Sequence, residues 1–202
     1  MRFEPGYLLG MVLQSVPEPR VVARDLFAQG WSRAALWQTL ALLLVLTTMV
    51  RVLVVALFPD PPEGMEVGPL LSNPILTSMV AALLVVSIVY GLFFLGRAFG
   101  GTGTLNQALI TIVWLVFVNL VINIALLLLS LFAPLMGLLL LLFAVFVNFW
   151  ILTFFATEMH GFQSPGMVLA VIVVGLISLL FAFSLVLAIL GFGTDPAMMG
   201  PL

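Results

Sequence analysis

Five apolar stretches, each long enough to cross a lipid bilayer, limit the possible folds of this chain more than any other feature. A membrane-spanning helix needs about 20 mainly apolar residues. Inside lipid, a lone segment of that length has to satisfy its own backbone hydrogen bonds, so it forms a helix. The sequence therefore predicts an all-α fold, a polytopic bundle of five transmembrane helices. The predicted spans cover roughly residues 34–58, 74–96, 105–130, 134–157 and 166–190.

The composition also requires contact with lipid. Of the 202 residues, 64% are hydrophobic and only 7% are charged, whereas a soluble domain has about 25% charged residues. The chain has no cysteine, which excludes disulfides and thiolate chemistry. Its net charge of −2 indicates no nucleic-acid partner.

Residues that start or cap helices support these boundaries independently of hydropathy. Thr104 and Gln107 have the spacing of a capping box at the start of the third span. The boundary at 131–134 is the least defined, because the third and fourth spans can also be one interrupted helix. The other starting signals are Ser32 for the first span, Asn73–Pro74 for the second, Pro134 for the fourth and Ser164–Pro165 for the fifth.

The arginines predict the orientation. Four of them (Arg2, Arg20, Arg24 and Arg33) precede the first span and Arg97 follows the second, which puts five on one side of the membrane. The acidic loop 59–73 and the tail after the fifth span contain no basic residue. By the positive-inside rule, the amino terminus is cytoplasmic and the carboxyl terminus lies outside.

Residues 19–29 have the pattern of a short amphipathic helix. Val22 and Leu26 share one face, and Arg20 and Arg24 share another, since each pair is four residues apart. One interpretation is a helix that lies on the inner headgroups, held by apolar burial and anionic lipid. The other, compatible with the first, is a docking site for a cytoplasmic partner.

One charged side chain and three asparagines lie well inside the predicted spans: Arg51, Asn119, Asn123 and Asn148. Arg51 lies about 7 Å outward of the middle of its span, from where its side chain can extend to the outer headgroups. Asn123 is at a similar depth and could accept a hydrogen bond from the guanidinium. Asn119 and Asn148 can pair across a helical hairpin and hold the third and fourth spans together. The alternative for these asparagines is a polar pathway through the membrane.

Two loops contain residues that resemble chemical motifs. The stretch GGTGT at 100–104 lacks the lysine and the preceding strand that a phosphate-binding loop requires. Glu158 and His160, the only histidine, supply two metal ligands at most, whereas catalytic zinc needs three from the protein. We therefore expect a structural or recognition role for both loops, and we predict no catalytic residue, cofactor-binding residue or metal ligand.

Three segments, PRVVARDLFAQGWSRAALW, FGGTGTLNQAL and ATEMHGFQSPG, resemble the bacterial branch of the Yip family of Ypt-interacting proteins. The resemblance extends over roughly residues 17–190. It implies a five-span integral membrane protein with a cytoplasmic amino terminus. Eukaryotic members bind prenylated small GTPases and act in membrane traffic, but their Asp-Leu-Tyr-Gly-Pro motif has no equivalent here. The residues that match the recurring loop positions of the branch are Gly100, Gly101, Gly103, Glu158, His160 and Gly161.

These observations predict three regions: a cytoplasmic or interfacial amphipathic segment (1–33), a five-span Yip-like domain (34–190) and a short outer tail (191–202). The expected function is that of a non-enzymatic protein of the bacterial inner membrane, which organises membrane or joins a larger complex. The alternative is a small solute or ion transporter or channel. We expect no cofactor other than bound phospholipid, and the expected partners are membrane lipid and other integral membrane proteins or further copies of the chain. The candidate cytoplasmic contact residues are Arg20, Arg24, Arg33, Arg97, Gly100, Gly101, Gly103, Glu158, His160 and Gly161.

Overall fold

A computed structural model describes residues 5–58 and 74–189, and within these ranges the chain forms seven α-helices and no strand. Short turns join consecutive helices within each range. The prediction of an all-α bundle is confirmed. The loop 59–73, with the cap predicted at Asn73, and the tail from 190 lie outside the described residues. The helices are α1 (Pro5–Gln14), α2 (Pro19–Phe27), α3 (Arg33–Leu57), α4 (Pro74–Ala98), α5 (Leu105–Phe132), α6 (Pro134–His160) and α7 (Pro165–Ile189).

Helices α3 to α7 correspond to the five predicted spans, and all five are long and apolar enough to cross a membrane. Many of their large apolar side chains are exposed on the outside of the bundle, as expected for helices surrounded by lipid. The centre of the bundle is α5, which packs on α3, α4 and α6. Helix α7 is peripheral and packs on α6 and α4.

The local chemistry of the helix starts follows the sequence prediction. Thr104 and Gln107 form a complete capping box at the start of α5. The Ser32 hydroxyl accepts a hydrogen bond from the Ala35 N–H at 3.2 Å. The boundary that the sequence left least defined is sharp: Ala133 leaves the helical conformation (φ −149°, ψ 71°) between α5 and α6. The third and fourth spans are therefore separate helices.

Helices α3 and α5 begin at the same end of the bundle at which α4 and α6 end. The Arg33 Nε–H donates to Asn106 Oδ1 at 3.0 Å, which joins the starts of α3 and α5. The Thr102 N–H donates to His160 O at 3.2 Å, which joins the α4–α5 loop to the end of α6. We call this the arginine end, because Arg24, Arg33 and Arg97 are exposed there.

Helix α2 is the amphipathic helix predicted at 19–29, but its apolar face does not lie on headgroups. Val22, Ala23 and Leu26 are buried, and α2 packs against α6 and α5. The Phe27 and Phe155 rings meet edge to face at 6.1 Å. The expectation of burial in lipid is wrong for this face, because α5 and α6 present apolar side chains that exclude lipid from it.

Candidate functional site at the arginine end

The lone histidine is the last residue of α6 and is buried, with 3% of its surface exposed. The helix stops there because Gly161 adopts a left-handed conformation with φ 70°, which glycine tolerates without a Cβ clash. The Phe162 N–H then donates to Thr157 O at 3.0 Å. This 6→1 bond is part of a Schellman motif, which satisfies carbonyls that the helix end would leave free.

Helix α4 ends in a similar motif, which turns the following loop back over the histidine. Gly100 is left-handed with φ 84°, and the Gly101 N–H donates to Gly96 O at 2.9 Å. The loop 99–104 therefore reverses direction directly after Ala98 and passes His160 before the capping box starts α5. The ends of α4 and α6, each terminated by a left-handed glycine, thus meet at the side chain of His160.

Both ring nitrogens of His160 bond to the backbone of neighbouring elements. The Gly103 N–H donates to Nδ1 at 3.2 Å, and Nε2 lies 3.1 Å from Leu92 O. An N–H is only a donor and a carbonyl oxygen only an acceptor, so Nδ1 carries no proton and Nε2 carries one. We name this arrangement the histidine clasp: His160 with its partners Leu92, Thr102 and Gly103.

The glycines around the clasp are there because a side chain would not fit. A Cβ at Gly96, Gly101 or Gly103 would overlap the imidazole of His160. Gly101 and Gly103 thus place the GGTGT stretch against the His160 ring, as one wall of its pocket. The sequence draws attention to the glycines and to the histidine separately, but it does not predict that they are in contact.

The arrangement provides no reactive group at His160, because the hydrogen bonds of the clasp engage both nitrogens. Glu158 lies on another face of α6, where its carboxylate is 3.4 Å from the Arg24 Nε. The structure therefore separates the two residues that the sequence placed together. Among residues 5–58 and 74–189, no group of three or more His, Asp or Glu side chains is placed to hold a metal ion.

The arginines surround the clasp on the surface. Arg24, Arg33 and Arg97 are exposed and Arg20 is half-buried. The guanidinium of Arg97 lies over the Phe93 ring at 5.6 Å, and that of Arg20 lies over the Phe154 ring at 5.4 Å. The candidate contact residues thus form two groups, a buried clasp with its glycines and a set of basic side chains around it.

The family model of the Yip1 domain matches residues 13–186 of the chain. The chain belongs to the Yip1 domain family. The match covers α2 to α6 completely and nearly all of α7, and it confirms the resemblance to Yip proteins. No curated protein and no solved structure matches the chain. With five helices that can cross a membrane, this Yip1-domain chain is an integral multi-pass membrane protein.

A second polar contact of this Yip1-domain protein joins α5 and α6 within the membrane-spanning region. The Asn119 Nδ2–H donates to Asn148 Oδ1 at 2.6 Å, and the Asn148 Nδ2–H donates to Asn119 Oδ1 at 3.0 Å. The second amide hydrogens bond to Leu115 O and Ala144 O in the same helices. All four amide hydrogens are therefore used inside the protein, which favours the role of glue between helices over that of a polar pathway.

We expect Asn148→Leu to destabilise the bundle by about 1 kcal/mol, because it removes two interhelical bonds and leaves Asn119 without its partner. Asn119→Leu combined with Asn148→Leu should cost less than the sum of the two single changes. Reversible unfolding in mixed micelles gives the four free energies of this cycle. Strictly additive values would contradict a direct pair.

Arg51 and Asn123 do not form the bond that the sequence suggested. Arg51 is exposed on the outside of α3, which agrees with a side chain that extends to the outer headgroups. The Asn123 Nδ2–H donates to Asn119 O at 2.8 Å, in its own helix. The described residues contain no hydrogen bond between Arg51 and Asn123.

Proposed function

We propose that this protein is a non-enzymatic organiser of the bacterial inner membrane, which binds phospholipid and other integral membrane proteins through its arginine end. By the positive-inside rule this end faces the cytoplasm. The contact surface consists of the exposed side chains Arg24, Arg33 and Arg97, and the histidine clasp fixes the loops between them.

The observation that carries the proposal is the use of both His160 nitrogens as structural ligands of the backbone. A catalytic histidine needs a nitrogen that can exchange a proton with substrate. Here the hydrogen bonds instead join the end of α6 to α4 and to the α4–α5 loop. The result is a preformed surface, which lowers the ordering cost of binding a partner.

The basic side chains suit anionic phospholipid headgroups and acidic partner loops. Each arginine near a cytoplasmic leaflet contributes about 1 kcal/mol of attraction to anionic lipid. Their positions are fixed in part by the protein itself, since Arg33 bonds to Asn106 and Arg97 lies over Phe93. Guanidinium groups held in this way retain donors for a phosphate or carboxylate.

The test is site-specific photocrosslinking in the native membrane. A benzophenone amino acid at Gln163, which is exposed in the loop between α6 and α7, should give a defined lipid or protein adduct. Arg33→Gln combined with Arg97→Gln should reduce the yield of that adduct, because the substitutions remove two of the basic groups that hold the partner.

The matched control is the same amino acid at Phe58, an exposed position where α3 ends at the opposite end of the bundle. It should give no equivalent adduct. Equal labelling from positions 58 and 163, or a yield that does not depend on the arginines, would contradict a specific surface at the arginine end.

A further inference from the structure

Helix α1 has an unusual surface, because it is apolar on the side that the protein leaves uncovered. Met11 and Val12 are buried against the rest of the molecule. On the open side, 74% of Leu13 is exposed, and Tyr7 and Leu9 are each about half-exposed. In water such a helix would present a continuous apolar strip at the amino-terminal end of the chain. Neither the family match nor the positive-inside rule accounts for it.

Two tryptophans fix the depth at which α1 ends. The Trp114 Nε1–H donates to Ser15 Oγ at 3.0 Å, and the Trp150 Nε1–H donates to Val16 O at 3.0 Å. Trp114 lies nine residues from the start of α5 and Trp150 ten from the end of α6. At 1.5 Å per residue these are about 14 Å and about 15 Å from the arginine end. The two helices thus place the turn after α1 at one level.

Other aromatic residues that favour a membrane interface lie between this level and the arginine end. The Trp37 and Tyr90 rings meet at 6.4 Å, and Tyr90 is eight residues, about 12 Å, from the end of α4. Belts of Trp and Tyr lie where headgroups give way to acyl chains. The side chains of Gln14 and Glu18 are exposed in the turn and bond to each other at 2.9 Å, which suits the polar side of that boundary.

From this level α2 rises along α6 towards the arginine end. Three contacts show a constant register: Val16 with Trp150, Arg20 with Phe154, and Arg24 with Glu158. Each pair is four residues beyond the previous one, so α2 runs parallel to α6 over its last turns. Helix α2 therefore covers the parts of α5 and α6 between the level of Trp150 and the arginine end, and α1 ends at the level where that cover starts.

We propose that α1 is embedded in the leaflet at the arginine end, with its open face against lipid acyl chains. The occupant is acyl chain because the exposed side chains from Tyr7 to Leu13 are apolar, and the turn that follows α1 is bonded at the level of Trp114 and Trp150, within two membrane-spanning helices. Apolar helices of this kind bury about 5–10 Å into the boundary between headgroups and chains. The amino-terminal segment is then a membrane anchor in its own right, in addition to the five spans.

The absence of cysteine allows a direct depth measurement with single labels. A fluorophore is attached to Leu13→Cys in the full chain, reconstituted into phosphatidylcholine–phosphatidylglycerol vesicles. Nitroxides on the upper acyl chain should quench it strongly, and iodide in the buffer should not. Leu9→Cys provides an independent position on the same face.

Two further labelled positions provide reference values for quenching in water and in lipid. Ala28→Cys lies at the exposed end of α2 and should be quenched by iodide, whereas Leu139→Cys faces lipid in α6 and should be quenched by nitroxides. Iodide quenching at position 13 equal to that at position 28 would overturn the proposal, because α1 would lie in water. Protection at position 13 from both quenchers would also overturn it, because protein or a second copy would cover the face.

Discussion

Replacing His160 with alanine is expected to destabilise the protein by about 3–5 kcal/mol, the range for removing a large buried ring and leaving a cavity. The substitution also leaves the Gly103 N–H and the Leu92 carbonyl without their side-chain partner. An unpaired buried polar group adds about 1–3 kcal/mol. The measurement is the midpoint of unfolding in mixed micelles, where unfolding is monitored as the loss of monodisperse protein.

Two further variants separate the clasp from simple loss of volume. His160→Asn keeps an acceptor near the position of Nδ1, so it should retain the bond from Gly103 and show an intermediate cost. Gln163→Ala changes an exposed loop residue nearby and should stay within about 0.5 kcal/mol of the parent. If His160→Ala were as stable as Gln163→Ala, the clasp would have no structural role.

Replacing Gly96 with alanine is expected to have the second-largest effect, because the new Cβ would overlap the His160 ring. The ring is held on both sides by backbone groups, so it cannot move without losing a hydrogen bond. Overpacking of this kind costs about 1–3 kcal/mol, and the loss of one clasp bond adds to it. The same unfolding measurement applies, with Gly166→Ala as the matched control. That glycine is helical with open space around it, so alanine should be neutral or stabilise the helix by about 0.5–1 kcal/mol.

The double variant distinguishes a steric cause from a general intolerance of alanine at position 96. Once His160→Ala has removed the ring, the Cβ at position 96 has room. Gly96→Ala should therefore cost far less in that background than in the parent, which is a strong coupling between neighbouring sites. Equal costs in both backgrounds would show that the imidazole is not what the Cβ meets.

The sequence predicts the long helices and most of their starts because those features depend on local chemistry. Apolar length sets the five spans, and Thr104 with Gln107 sets the start of α5 through groups three residues apart. The asparagine pair is also foreseeable, since the depths of Asn119 and Asn148 follow from the helix rise once a hairpin is assumed. In each case the interacting residues lie within one helix or in two consecutive helices.

The clasp and α1 were not foreseeable because they depend on contacts distant in sequence. Gly103 and His160 are separated by 57 residues, and no periodicity shows that a loop glycine and a helix-end histidine share one pocket. The α1 segment is too short and too evenly apolar to give either a span or an amphipathic pattern. What fixes it is the bond from Trp114 to Ser15, 99 positions apart. The indole N–H groups of Trp114 and Trp150, hydrogen-bond donors placed within apolar spans, were the available signal.

The single residue Ala133 between α5 and α6 restricts how this protein can move. A connection of one residue cannot lengthen, and the hydrogen-bonded pair Asn119–Asn148 lies part-way along both helices. A slide of α5 past α6 by one turn, about 5.4 Å, would break the pair and stretch the connection together. These two helices therefore move as one unit. Of the five spans, α7 has the least contact with the described part of the bundle, so it is the span that can rotate or translate at the lowest cost.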